Sequence, residues 1–234
     1  ELNINLGSLL EAASSARGTA VIIDVYRAFT TAAIALYNGA EAIILVAEVE
    51  EALDLKHGGI GEICMGEVGG MRPDGFDFGN SPYELSQADV EGKVLIQSTR
   101  AGTVGVNAAR NADKIYAASF LTAEATVESI LRDDPDLVSI VAMGVAGTVR
   151  ADEDEQCALY LRNRLEGREP NHESVRSLVL SGGESQKYGD PALPHFHPKD
   201  KEYALRIDTI PFAVIVSEEE GLMVARRDLY IETI

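Results

Sequence analysis

Residues 19–46 read TAVIIDVYRAFTTAAIALYNGAEAIILV, and three elements succeed one another in them. Residues 19–25 are apolar and β-branched almost throughout, which reads as a buried strand. Residues 27–37 are rich in Ala and read as a helix, stopped by Asn38-Gly39. Residues 42–46 (AIILV) are again a buried strand. Strands that are apolar on both faces, with helices between them, imply a mostly parallel sheet covered on both sides.

The same alternation continues outward. Residues 49–57 read as a helix running into Gly58-Gly59, and residues 62–65 as a short strand. That strand opens a long segment, 66–82, containing GGMRPDGFDFGNSP. Residues 93–98 read as a strand, 102–111 as a helix and 114–119 as a strand. Residues 122–132 read as a helix capped by Thr122, and 137–143 (LVSIVAM) as a strand before a Gly-rich turn and another helix. Beyond Gly167 the pattern changes. Residues 172–180 look helical, 181–200 are rich in Gly, Pro and His, and 212–216 and 222–225 form a hairpin turning at 218–221. The expected fold is α/β: a layered, mixed, mostly parallel sheet in one domain over residues 1–234, with an elaborated C-terminal part from about residue 168.

Composition narrows the function. Asp and Glu number 38 against 20 Lys and Arg, for a formal charge of -18. A polyanion requires a basic footprint, so nucleic acid is not the expected partner, whereas a small anion needs only a few local donors. Two distant cysteines, Cys64 and Cys157, make neither a disulfide framework nor a zinc pattern and suit a reducing compartment. No apolar run reaches the length of a membrane span. The opening ELNINLGSLLEAA lacks the charged head and long apolar stretch of a signal peptide. A cytoplasmic protein is expected.

In open α/β sheets ligands collect beyond the carboxyl ends of strands, and four turns there are chemically rich. Asp24 and Arg27 leave the first strand, with Thr30 and Thr31 just inside the helix. Gly66-Glu67 leaves the short strand. Ser98, Thr99, Arg100, Ala101, Gly102 and Thr103 leave another, and residues 144–155 a fourth. In a uniformly parallel sheet all four share one edge. In QSTRAGT (97–103), small residues and outward N–H groups would admit an anion, with Arg100 as a permanent charge; a helix cap with a solvated Arg explains the same residues. Asp24 and Arg27 sit among apolar neighbours, so their charges need partners. Asp152-Glu153-Asp154-Glu155 exceeds what helix capping requires, and one or two such carboxylates suit Mg²⁺. His195-Phe196-His197 places two imidazoles on an extended segment without an obvious third ligand, and Cys157 falls in an apolar helical pattern. Neither cysteine starts a C-x5-R loop, and the phosphate-binding GxxxxGK[ST] and nucleophilic GxSxG patterns are missing.

Taken together, DVYRAFTT, GE followed by GFDFGNSP, STRAGT and EDEQCA, in this order across residues 20–165, resemble the 2-phosphosulfolactate phosphatases. The resemblance implies an α/β fold distinct from common phosphatase folds. It also implies Mg²⁺-dependent hydrolysis of 2-phospho-3-sulfolactate, a step toward coenzyme M. It places family positions on Asp24, Arg27, Thr30, Thr31, Gly66, Glu67, Asp77, Gly79, Asn80, Ser81, Ser98, Thr99, Gly102, Thr103, Glu153 and Asp154. On this basis Glu153 or Asp154, with Asp24 or Glu67, would hold Mg²⁺. Arg27 and the 98–103 loop would neutralise phosphate oxygens, with Asn80 and Ser81 orienting the substrate. Arg100 or Arg150 would take the sulfonate or carboxylate. The alternatives are a phosphatase for another small phosphorylated hydroxy acid and a non-catalytic small-anion-binding protein. The expected partner is a small anionic phosphorylated substrate, and a homodimer is compatible with the apolar surface economy of such folds.

Overall fold

A computed structural model describes residues 2–228. In chain order the elements are β1 (Asn3–Ser8), α1 (Leu9–Ser15), β2 (Thr19–Ile23), α2 (Ala28–Tyr37), β3 (Ala42–Val46), α3 (Val49–His57) and β4 (Ile63–Gly66). There follow α4 (Pro82–Leu85), β5 (Val94–Ser98), α5 (Gly102–Ala108), β6 (Lys114–Ala118), α6 (Ala123–Asp133), β7 (Leu137–Ala142) and α7 (Asp152–Leu165). The last elements are α8 (His172–Ser181), α9 (Pro198–Ala204), β8 (Ala213–Glu219) and β9 (Leu222–Asp228).

The strands make one sheet in the order β1-β7-β2-β6-β8-β9-β3-β5-β4. Within it, β1, β7, β2 and β6 are mutually parallel, as are β3, β5 and β4. The β8–β9 hairpin lies between these blocks and pairs antiparallel with β6 on one side and β3 on the other. Three successive reversals turn the second block against the first. The sheet is thus mixed and mostly parallel, as the alternation implies, but it is not uniformly parallel. In a flat sheet the ends of β2 and β7 would point away from those of β4 and β5.

Curvature restores their convergence. One apolar cluster joins Ile22, Ile43, Leu45, Met65, Leu95, Val214 and Met223, drawn from both blocks and the hairpin, to α2 and Val106 of α5. Residues 28–36 of α2 are all buried, so the sheet wraps around this helix. Its Ala-rich composition lets strands approach from more than one side. Five strand-to-strand steps separate β2 from β5; at about 20–25° of twist per step, the second block turns through roughly 100–125°. The outer face of the first block, with Val21, Ile23 and Ile140, packs beneath Val127 and Ile130 of α6 and Leu161 of α7. Ile44, Cys64 and Ile96 of the second pack against Ala52 of α3.

Several local expectations are adjusted. The helix expected over 102–111 ends at Ala108, and the hairpin turn tightens to Glu220-Gly221. Thr122 stands before α6, but its hydroxyl points back to the Ser119 carbonyl at 3.5 Å. The cap comes instead from Asp208, which accepts from the Glu124 N–H at 2.8 Å. β1 and α1 carry no strong periodic signal. β1 exists because it adds to the edge of β7, a long-range pairing. Among the described residues no helix is long and apolar enough to cross a membrane.

Candidate active site

The strand-end turns meet around a cavity of about 450 Å³, lined among others by Asp24, Arg27, Glu67, Asn80, Arg100 and Glu153. Its carboxylates follow a repeated plan. Asp24 accepts from the N–H of Ala28 at 3.0 Å and of Gly102 at 2.8 Å, joining the starts of α2 and α5. Asp154 accepts from Val25 at 2.7 Å and Gly144 at 2.8 Å, joining the turns after β2 and β7. Glu67 accepts from Gly70 at 2.7 Å and Arg100 at 2.9 Å, joining the turns after β4 and β5. Each acid bridges two segments through backbone amides, which fixes its orientation while leaving lone pairs unspent.

This arrangement changes the reading of QSTRAGT. Its outward amides do hold anions, but those anions are the protein's own Asp24 and Glu67. The hydroxyls are likewise engaged. Thr103 Oγ1 accepts from the Thr99 N–H at 2.9 Å, and Thr99 Oγ1 from the Thr103 N–H at 3.2 Å. Ser98 Oγ lies 3.4 Å from the Ala47 carbonyl. Thr30 donates to the Val25 carbonyl at 2.8 Å, and Ser81 donates to Asp200 at 2.6 Å. Thr31 Oγ1 is buried without a partner. Thr30, Thr31, Ser81, Ser98, Thr99, Gly102, Thr103 and Asp154 therefore stand behind the cavity wall, shaping it. Gly102 illustrates how tight that wall is. A Cβ there would meet Asp24 Oδ2 and Ala28 Cβ, both at 2.9 Å. Gly102→Ala is expected to lower stability by about 1–3 kcal/mol, whereas Gly183→Ala, with open space around it, should stay within about 0.5 kcal/mol; thermal melts of the two variants check this.

Arg27 is almost wholly buried at 3% exposure and pairs with Asp200, itself fully buried, at 2.9 Å. Its guanidinium also donates to the carbonyls of His195 at 2.9 Å and Gly70 at 3.1 Å, and lies 5.0 Å from the Phe196 ring centroid. It ties together the 66–72 loop, the 193–197 segment and α9. Asp200 in turn accepts from Ser81 and from the Tyr83 N–H at 3.1 Å. Nothing in the sequence marked Asp200, because its importance comes entirely from what it meets in space. Lys187 and Glu184, which no sequence pattern marks, also line the cavity, as does His195 of the His195-Phe196-His197 segment. Arg150, by contrast, pairs with Glu155 at 2.8 Å on the surface and does not line the cavity. His195 and His197 diverge: His197 caps α9 and stacks on Tyr83 at 4.6 Å. Asp77 holds Lys56 and the Cys64 N–H, anchoring β4.

Electrostatically the site gathers buried carboxyl groups whose ionised forms burial disfavours. Burial pushes Asp24 up to about 6, partly offset by the Ala28 N–H. Burial pushes Glu153 up to about 8, with the charges of Glu184, Asp24 and Asp152 adding to the rise. Asp154 is raised by burial and then by Glu153 and Asp24. The buried thiols are no nucleophiles at neutral pH: desolvation lifts Cys64 to about 11 and moves Cys157 in the same direction. Acids so placed, with no ion-pair partner among the described residues, would be fully ionised at neutral pH only beside a cation. The donors are all hard oxygen. No three acidic, His or Cys side chains among the described residues are grouped to enclose a metal by themselves. Mg²⁺ needs only one or two protein carboxylates, the rest of its shell being water and substrate oxygen, and Glu153 and Asp24 at the cavity are donors of that kind.

Known proteins resemble this chain over much of its length. A protein of Clostridium perfringens (strain SM101 / Type A) described as a probable 2-phosphosulfolactate phosphatase is 39% identical over 150 residues, covering 62% of this chain and 60% of that protein. Proteins of the same description from Synechococcus sp. (strain CC9605) and Thermotoga maritima are 36% and 40% identical over 168 and 124 residues. Those matches cover 71% and 53% of this chain and 69% and 53% of the relatives. The match thus spans less than two thirds of the Clostridium relative's length. The sequence model of the 2-phosphosulpholactate phosphatase family matches residues 7–185, and the chain belongs to that family.

Proposed function

We propose that this chain hydrolyses the phosphate monoester of 2-phosphosulfolactate, with Mg²⁺ as cofactor. The observation that carries the reading is the meeting of unpaired buried carboxylates and three cationic side chains, Arg27, Arg100 and Lys187, around one cavity. A non-catalytic anion binder has no need of the acids. The substrate is the one named in the descriptions of the relatives.

Glu153, which lines the cavity, would hold Mg²⁺ with Asp24 beside it, while Asp154 braces the turns behind them through the Val25 and Gly144 amides. When bound, the ion supplies positive charge opposite the transferring phosphoryl group. Phosphoryl transfer depends mainly on positioning and charge stabilisation, and the remaining residues serve those ends. Asp24, ionised above about pH 6 and held by two amides, is placed to take the proton of the attacking water. Arg100 lines the cavity and carries an Nε–H with no protein partner, an unspent donor for a substrate oxygen. Asn80, with an unpartnered buried Oδ1, orients a hydroxyl or water. Glu67 shapes the rim through the Gly70 and Arg100 amides. Arg27 is a positioning group, because Asp200 and two carbonyls already occupy much of its fork.

Purified protein is expected to release phosphate from 2-phosphosulfolactate with Mg²⁺ and to lose that activity in excess chelator, regaining it when Mg²⁺ is restored. Undiminished turnover in chelator would remove the metal from the reading. Preference for another phosphorylated hydroxy acid in a substrate panel would reassign the substrate.

A further inference from the structure

We propose that Lys187 is the specificity-determining cation of the cavity, binding the acidic group of the substrate that is not transferred. This rests on the reading of the cavity as a site for a phosphate ester that carries further acidic groups. The three cavity cations are held very differently. Arg27 is fixed by a buried carboxylate and two carbonyls. Arg100 is tethered through Nη2 to the Ala47 carbonyl at 3.0 Å and through Nη1 to Glu48 at 3.4 Å. Lys187 has one side-chain partner, Glu184, three residues earlier at 2.5 Å. Its side chain is 35% exposed, and its ammonium lies 5.8 Å from the Phe196 ring centroid.

A partly solvated pair of this kind is weakly held, and an ammonium on a flexible stem turns readily to a new partner. Glu184 lines the same cavity. A sulfonate or carboxylate entering it therefore competes directly with Glu184 for Lys187. The base of this turn is nonetheless firm. Ser185 bonds the Tyr26 hydroxyl at 3.0 Å and donates to the Val179 carbonyl at 2.8 Å, while Lys201 donates to the Ser185 carbonyl at 3.1 Å. Lys187 is thus a mobile charge on a fixed platform beside the β2 turn. The need for it is electrostatic. Asp24 and Glu153 line the same cavity, so a substrate that brings a second acidic group beside these acids requires a positive partner for it.

The test uses calorimetry with two probes, 3-sulfolactate and inorganic phosphate, in the presence of Mg²⁺, alongside steady-state phosphate release from 2-phosphosulfolactate. Lys187→Met is expected to weaken 3-sulfolactate binding by about 10–100-fold, with phosphate binding changed less than about twofold. KM should rise in step with kcat little altered, and Lys187→Arg should restore most of the affinity. A thermal melt like that of the wild type confirms that the variant folds. Equal weakening of both probes, or no weakening, overturns the proposal. If wild type binds 3-sulfolactate through Lys187 but releases no phosphate from 2-phosphosulfolactate, the recognition stands and the proposed reaction falls. If it binds neither probe, both are overturned.

Discussion

Arg27→Met is expected to destabilise the protein by about 3–5 kcal/mol, because it leaves the fully buried carboxylate of Asp200 without its cation. At roughly 2–4 °C per kcal/mol for a chain of this size, the thermal midpoint falls by about 6–20 °C. Two neutral donors remain on Asp200, the Ser81 hydroxyl and the Tyr83 N–H, and they do not replace a charge. Phosphate release should drop by about a hundredfold or more, since Arg27 ties Gly70 and His195, both cavity-lining, into place. The double variant Arg27→Met/Asp200→Leu separates the two effects. It removes both charges, so most of the stability returns while the activity does not. An Arg27→Met midpoint within about 1 kcal/mol of wild type would show that the pair is not the buried tie described above.

Glu153→Gln is expected to have the opposite signature. Asp24, Asp154 and Glu67 each accept from two backbone amides of other residues, whereas only Glu153's own N–H offsets its burial. Because burial lifts Glu153 to about 8, the protein must take up a proton there to fold at neutral pH, a cost that Gln does not carry, so without metal the midpoint should hold or rise. Phosphate release should nevertheless fall by roughly a hundredfold or more. The diagnostic is the stabilisation by Mg²⁺. A ligand at 100 times its Kd adds about 2.7 kcal/mol, and the variant should lose most of that increment while the wild type shows it. A full Mg²⁺ increment in Glu153→Gln, or none in the wild type, would take the ion away from this carboxylate.

Much of the fold is legible locally. The 28–36 run of α2 and the strands around it are visible because periodicity is a short-range signal: 3.6 residues for a helix, two for a strand. The cap of α6 shows where that signal stops. Thr122 has the right residue type in the right place, yet Asp208, far along the chain, takes the role. β1 is similarly silent in sequence because the pairing with β7 creates it.

For the site, residue type and residue role part company. Asp24, Glu67, Glu153 and Asp154 can be picked out as acids at strand ends, and QSTRAGT as an anion cradle. Sequence determined that these groups exist and that small residues surround them. Only the tertiary structure decided that the cradle holds Asp24 and Glu67, that Arg27 is spent on Asp200, and that Lys187 rather than Arg150 reaches the cavity. The inserted hairpin, which inverts one block of the sheet, and the curl around α2, which brings its ends back, are likewise tertiary. The reason is physical: propensity and periodicity act over a few residues, whereas a side chain's partner is set by whichever group the folded chain brings within hydrogen-bond distance.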